Sequence, residues 1–218
     1  MTDSIWPQSD PTAELLHDAK KGDAGAVEQL LTRHRDALKR MVDMRLDKRV
    51  AQRVDVSDIV QEVLVEASRR LQLYLENPVM PFHLWIRQIA KDRIIDAHRR
   101  HRVSAKRSVD RERRLELNGQ PDASTIELAG QLLDPELTPA ARATQREMAI
   151  QVQTCIEQLD ERDRDILLMR HYEQLSNQEV AQALGLTEPA ASMRYLRALK
   201  RLRAAIAGET SDFEDDSI

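Results

Sequence analysis

The sequence predicts an all-α protein of two small helical domains joined by a flexible linker, on three observations. Aromatic residues are only 3% of the 218 while charged residues are 32% and apolar residues 41%, so Leu, Ile, Val and Ala must supply the buried surface from amphipathic helices. Apolar residues recur at helical spacing in two separate blocks. Between the blocks the periodicity fades into an acidic stretch broken by Asn118-Gly119-Gln120-Pro121.

Taken in order, residues 1–10 read as a disordered N-terminus, and Asp10-Pro11 reads as an N-cap with proline in the first turn of a helix near Thr12 to Lys20. Gly22-Asp23 breaks it. Ala24 to Met44 then repeats the helical period through Val27, Leu30, Leu31, Leu38 and Met41. Asp55 is placed to cap a third helix reaching about Leu75, and Asn77, Pro78 and Pro81 mark a loop. From Phe82 a continuous stripe of Trp85, Ile86, Ile89, Ala90, Ile94 and Ala97 predicts one long helix with bases on its opposite side. The first domain therefore spans 11–103, the linker 104–137, the second domain 138–207, and an acidic tail 208–218. Thr138-Pro139 opens the second domain as Asp10-Pro11 opens the first, with a helix to Leu159 and another from Asp160 through Tyr172.

Ser176-Asn177-Gln178-Glu179 is a capping box, in which Ser176 and Glu179 satisfy each other's backbone amides. The helix it starts turns Val180, Ala181 and Leu184 inward and ends at Gly185, where a left-handed backbone is cheap. Thr187 caps the next helix, with Pro189 in its first turn and Met193, Leu196, Leu199 and Leu202 along its length. A short helix, a glycine turn and a longer helix with a basic exposed face form a helix-turn-helix, whose second helix enters the major groove of DNA. An ordinary helical hairpin with a solvated basic face is the alternative.

The formal net charge of −4 argues at first against nucleic acid, whose affinity for proteins comes largely from Lys and Arg at phosphates. Segregation of the charge reverses that inference. Arg87 to Arg114 holds eleven bases against four acids, and Arg194, Arg197, Lys200, Arg201 and Arg203 form a second run without an acid between them. Acids collect in Glu116 to Glu136 and Glu209 to Asp216. Two separated basic stripes imply two nucleic-acid contacts. Cys155, the single cysteine, excludes an internal disulfide and fits a reducing compartment. Without a secretory signal or a spanning apolar run, a cytoplasmic protein with no membrane insertion is expected.

The residues Asp58-Ile59-Val60-Gln61-Glu62-Val63, and the run from Phe82 to Arg100 with Trp85-Ile86-Arg87-Gln88-Ile89-Ala90-Lys91-Asp92-Arg93 inside it, resemble the second conserved domain of ECF (extracytoplasmic-function) sigma factors of bacterial RNA polymerase. The stretch Ile156 to Leu202, with Leu159, Arg164, Leu167, Leu168, Leu175, Ser176, Glu179, Leu184, Gly185, Arg194 and Arg197, resembles their fourth domain. The resemblance implies a non-enzymatic initiation factor that needs no cofactor or metal. It implies that Asp58, Gln61 and Glu62 meet the clamp helices of the polymerase's largest subunit, a role their shared helix face permits. It further implies that Arg87, Lys91, Asp92, Arg93, Arg99 and Arg100 hold the melted non-template strand of the minus-ten element. Tyr74 and His83 are the base-facing groups in that reading, whereas Phe82 and Trp85 belong to the apolar stripe. Ser192, Met193, Arg194, Arg197, Lys200 and Arg201 are assigned to the minus-thirty-five duplex, and the polymerase flap to the same domain. An anti-sigma protein is a further partner class, and the linker acids Glu116, Glu127 and Glu136 would mimic nucleic acid near the active-site cleft.

The chain departs from that family in three places. Asp92 stands where asparagine is usual and cannot donate a hydrogen bond when ionised. Ser192-Met193-Arg194 lacks the first cation of the usual basic-Ser-Arg triplet, and Pro189 replaces a frequent glycine. The competing reading is a helix-turn-helix regulator that acts without replacing sigma, which leaves the Asp58-Gln61-Glu62 face unexplained. A nuclease or phosphotransferase lacks its Gly-rich loop or His-Cys spacing here, and His98 and His101 sit among arginines that repel a metal cation.

Overall fold

Short polar side chains set several helix starts in this chain, and in the computed structural model each cap predicted at Asp55, Asp160, Ser176 and Thr187 accepts a hydrogen bond from its own first turn. The structure describes residues 4–7, 9–46, 50, 53–105, 125, 128–129 and 141–208. The chain divides into two units, Ser4–Arg114 and Leu115–Ile218. Among the described residues there is helix and no strand.

In the N-terminal unit, α1 (Ser9–Lys20), α2 (Ala24–Arg45), α3 (Val56–Glu76) and α4 (Phe82–Ala105) follow the predicted order. Helix α1 starts at Ser9, so Asp10 lies within its first turn instead of capping it. Asp23 caps α2 through the amides of Gly25 at 2.8 Å and Ala26 at 3.2 Å, after Gly22 has taken a φ of 92° that favours glycine. Helix α2 packs against α1, α3 and α4, and α3 against α4. Leu30, Leu38, Met41, Ile59, Val63, Ile86 and Ala90 fill the space between them. Trp6, expected in a disordered end, is instead buried, with its ring centroid 6.1 Å from that of His83. A large ring that removes this much apolar surface from water is held against the domain.

His34 is fully buried on α2, where its Nδ1 donates to the Leu30 carbonyl at 2.8 Å and its ring meets the edge of Phe82. Burial, reinforced by the charges of His83 and Arg33, lowers its pKa to about 4. The group is neutral in the folded state and charges more readily in the unfolded chain, so its stabilising contribution is complete above 6.5 and falls as pH drops towards 4. Between pH 6.5 and 5 the loss is about 2 kcal/mol. Urea unfolding followed by tryptophan fluorescence should show this extra acid sensitivity in the wild type and not in His34→Leu; equal sensitivity in both would refute the assignment.

In the C-terminal unit, α5 (Ala141–Gln158) precedes α6 (Glu161–Leu167), which runs into a π-helical turn, Leu168–Tyr172. Helices α7 (Asn177–Leu184) and α8 (Glu188–Ala207) complete it. Val152, Ile166, Leu167, Met169, Leu175, Val180, Ala198 and Leu202 form its interior, and Cys155 is buried beside them. Thr125, Leu128 and Ala129, assigned by sequence to the linker, are helical and buried, and the Thr125 hydroxyl lies 2.8 Å from that of Tyr172. That part of the 104–137 segment belongs to the C-terminal unit, because an apolar pair and a satisfied hydroxyl are more stable there than in water. The Thr138-Pro139 start, the linker acids Glu116, Glu127 and Glu136, and the tail from Glu209 lie outside the described residues.

Candidate nucleic-acid interface

The helix-turn-helix is built as its capping residues require. The Ser176 amide donates to Glu179 Oε2 at 2.7 Å and the Glu179 amide to Ser176 Oγ at 3.2 Å, so the box is reciprocal. Gly185 ends α7 with φ 64° in the left-handed region, and Thr187 Oγ1 accepts from the Ala190 amide at 3.3 Å. Asn177 Nδ2 donates across the turn to the Glu188 carbonyl at 3.0 Å, pinning the start of α7 to the start of α8.

Helix α8 buries Ala191, Ala198 and Leu202. Its opposite face carries Met193, Leu196, Arg197 and Lys200, all exposed, with Ser192 and Arg194 partly exposed at the flanks. Met193 and Leu196 point outward, so of the apolar residues along α8 only Ala191, Ala198 and Leu202 are fully buried. Arg201 departs from its expected place on the DNA side. Its Nη1 is 2.6 Å from Asp163 Oδ2 and 3.4 Å from Asp160 Oδ2, which ties α8 to the first turn of α6. Asp163 is buried, and burial with the nearby Asp160 charge pushes its carboxyl above the usual carboxylate range. Burial would also raise Asp160, but the amides of Asp163 and Arg162 that it caps, together with Arg201, hold it below that range.

The π-helical turn accounts for what braces α8 from the other side. One extra residue in the turn is marked by the Glu173 amide donating to the Leu168 carbonyl at 3.0 Å. It sets His171 Nε2 2.8 Å from the Tyr195 hydroxyl of α8, while the next residue, Tyr172, meets Thr125. Arg170 lies over the Tyr195 ring, 5.6 Å from its centroid. Nothing in the helical periodicity of 160–172 signals such a turn.

In the N-terminal unit, the sequence-predicted DNA residues divide. Lys91 is partly exposed and Asp92 and Arg99 are exposed, on one outward side of α4. Arg87 is 1% exposed and lies inside the domain, so the expectation that it faces DNA is corrected. At 100° per residue it falls on the edge of the stripe that buries Ala90 and Ile94, which draws its side chain inward. Tyr74 is likewise buried, with its hydroxyl donating to the Met80 carbonyl at 2.9 Å and its ring against Phe82 and Trp85. Its base-facing role is also corrected, and burial raises its pKa. His83 is partly exposed, with the Trp6 ring near its own. Arg93 pairs with Glu66 of α3 at 3.3 Å and with Asp96 at 3.8 Å. Arg100 pairs with Glu62 at 3.1 Å, so a residue expected to meet DNA and one expected to meet polymerase hold each other. Asp58 and Gln61 are exposed on the same side of α3.

Two stretches of this chain match family models: residues 30–103 match sigma-70 region 2 and residues 149–202 match sigma-70 region 4. The ECF RNA polymerase sigma factor ShbA of Streptomyces griseus is 30% identical over 194 residues, which cover 87% of this chain and 92% of that protein. The chain belongs to the ECF group of RNA polymerase sigma factors. It therefore directs transcription initiation with core RNA polymerase at promoter DNA. The RNA polymerase sigma factor CnrH of Cupriavidus metallidurans is 27% identical over 197 residues, 90% of this chain and 94% of that one. A solved structure of CnrH with the cytosolic domain of CnrY has the same fold, with a TM-score of 0.57 at 23% identity over 92% of this sigma factor and all of that chain. The region 2 match removes the regulator reading, because it accounts for the unit that reading left without a role. No described helix of this sigma factor is long and apolar enough to cross a membrane.

Proposed function

We propose that this sigma factor divides its work among three exposed faces. Asp58, Gln61 and Glu62 on α3 dock the clamp helices of the largest polymerase subunit. Lys91, Asp92 and Arg99 on α4 line the path of the melted minus-ten strand, and the flank of α8 with Ser192, Met193, Arg194, Arg197 and Lys200 enters the minus-thirty-five duplex, with the polymerase flap against the same unit. The observation that carries the last assignment is the outward side of α8, which exposes Arg197 and Lys200 and holds no acid after Glu188. Such a surface is complementary to phosphates and base edges.

Arg93 and Arg100 join the DNA path by leaving Glu66 and Glu62. Arg100–Glu62 is a solvent-exposed pair, and exposed pairs contribute about 0–1 kcal/mol, so polymerase engagement of Glu62 frees Arg100 at little cost. Arg87, Tyr74 and Arg201 have structural roles in this reading. The complex of CnrH with the cytosolic domain of CnrY supports a protein of the anti-sigma class as a further partner.

Reconstitution with core polymerase tests the assignment. The full chain should form a stable holoenzyme, and Asp58→Ala with Glu62→Ala should weaken it at least about tenfold. Arg197→Ala with Lys200→Ala should leave core binding intact while abolishing initiation that depends on the minus-thirty-five element. Unchanged core affinity in the first pair, or lost core binding in the second, overturns the division.

A further inference from the structure

Two large apolar side chains sit at the centre of the surface that α8 presents to solvent. Met193 is 51% and Leu196 56% exposed, whereas the inward side of the same helix is made by Ala191, Ala198 and Leu202. Residues 193, 196, 197 and 200 are spaced i, i+3, i+4 and i+7, so the apolar pair shares one face with Arg197 and Lys200. Exposed leucine and methionine gain nothing from water; leucine cannot hydrogen-bond a base edge or a phosphate, and the methionine thioether is only a weak acceptor that cannot donate to either. The helix needs neither for its own burial.

We propose that Met193 and Leu196 read thymine in the minus-thirty-five duplex through its C5-methyl group. The proposal rests on α8 being the duplex-facing helix. In the major groove each base pair presents a set of donors and acceptors, and the thymine methyl is the one apolar group among them. An apolar side chain held there by flanking cations removes that methyl and itself from water. Opposite the amino group of cytosine or the O6 and N7 of guanine, it would leave those groups unsatisfied and dry. The charge around the pair selects this occupant over a protein groove. Exposed Arg197, Lys200 and Arg203 surround it, and no acid follows Glu188 in the helix. Ser192-Met193-Arg194 has Ser192 where the family places a cation, so an apolar contact replaces part of an ionic one at this end of the helix.

Deoxyuridine isolates the claim, because it keeps the pairing and the O4 acceptor of thymine and lacks only the methyl. Reconstituted holoenzyme should first select its minus-thirty-five duplex from a randomised pool. The selected sites should contain thymine at one or two fixed positions, and dT→dU there should weaken wild-type holoenzyme binding about fourfold per methyl. In Leu196→Ala with Met193→Ala the dU penalty should vanish. A pool without fixed thymines, or a dU substitution without effect, overturns the proposal while leaving α8 as the duplex reader, provided Arg197→Ala still weakens binding. If Arg197→Ala and Lys200→Ala also have no effect, the assignment of α8 to duplex DNA fails with it. Loss of core polymerase binding in Leu196→Ala with Met193→Ala, with the dU penalty retained, would give the pair to a protein surface and overturn the proposal.

Discussion

Replacing Phe82 by alanine should destabilise the N-terminal unit by about 3–5 kcal/mol. The ring is buried where three helices converge, at the first residue of α4. Its centroid is 4.8 Å from that of His34 on α2, 5.6 Å from that of Tyr74 on α3 and 5.4 Å from that of Trp85 on α4. Deleting it removes a large transfer contribution and leaves a cavity that backbone elements on three sides resist closing. It also takes the packing partner from a neutral buried histidine, so water that enters the cavity would ease protonation of His34. The chain has two tryptophans, Trp6 and Trp85, and both lie in this unit, so fluorescence during urea unfolding reports it alone. A loss below about 1 kcal/mol would mean that the aromatic cluster is not what joins these helices.

The second large effect is expected at Arg201, which sequence alone places with the DNA-binding cations. Arg201→Met should destabilise the C-terminal unit by about 2–3 kcal/mol, less than a fully buried pair because the guanidinium is partly solvated. The Asp163 side chain is 5% exposed against it, and without the cation a buried carboxylate faces the ionised Asp160 alone. Asp163 already has a raised pKa, so acid neutralises it readily and the penalty of the variant should shrink as pH falls through the carboxylate range. Adding Asp163→Asn to Arg201→Met should restore most of the loss, since no unpaired charge remains. Hydrogen exchange in α6 and α8 measures this, with tryptophan fluorescence unchanged as the control. A full-strength penalty in the double variant, or none in the single one, would show that the bridge is incidental to stability. Arg197→Ala, four residues earlier on the exposed side, should leave the same exchange rates untouched.

Most helix starts and stops in this protein were determined by the sequence alone, because they depend on contacts between residues two to four apart; the start of α1 at Ser9 and the π-helical end of α6 are the exceptions. Asp55, Asp160, Ser176 with Glu179, Gly185 and Thr187 each act within one turn, and each is found in its predicted role. The two basic segments and the helix-turn-helix were legible for the same reason. Which cations face outward was decided only by the tertiary structure. A long side chain at the edge of an apolar stripe can turn either way, and its choice depends on acids and packing elsewhere in the chain: Glu66 for Arg93, Glu62 for Arg100, Asp163 for Arg201. Tyr74 turned inward because a carbonyl in the following loop, that of Met80, accepts its hydroxyl. The π-helical turn that braces Tyr195, and the burial of Thr125 from the acidic segment, come from contacts across long stretches of chain, and no local periodicity encodes them.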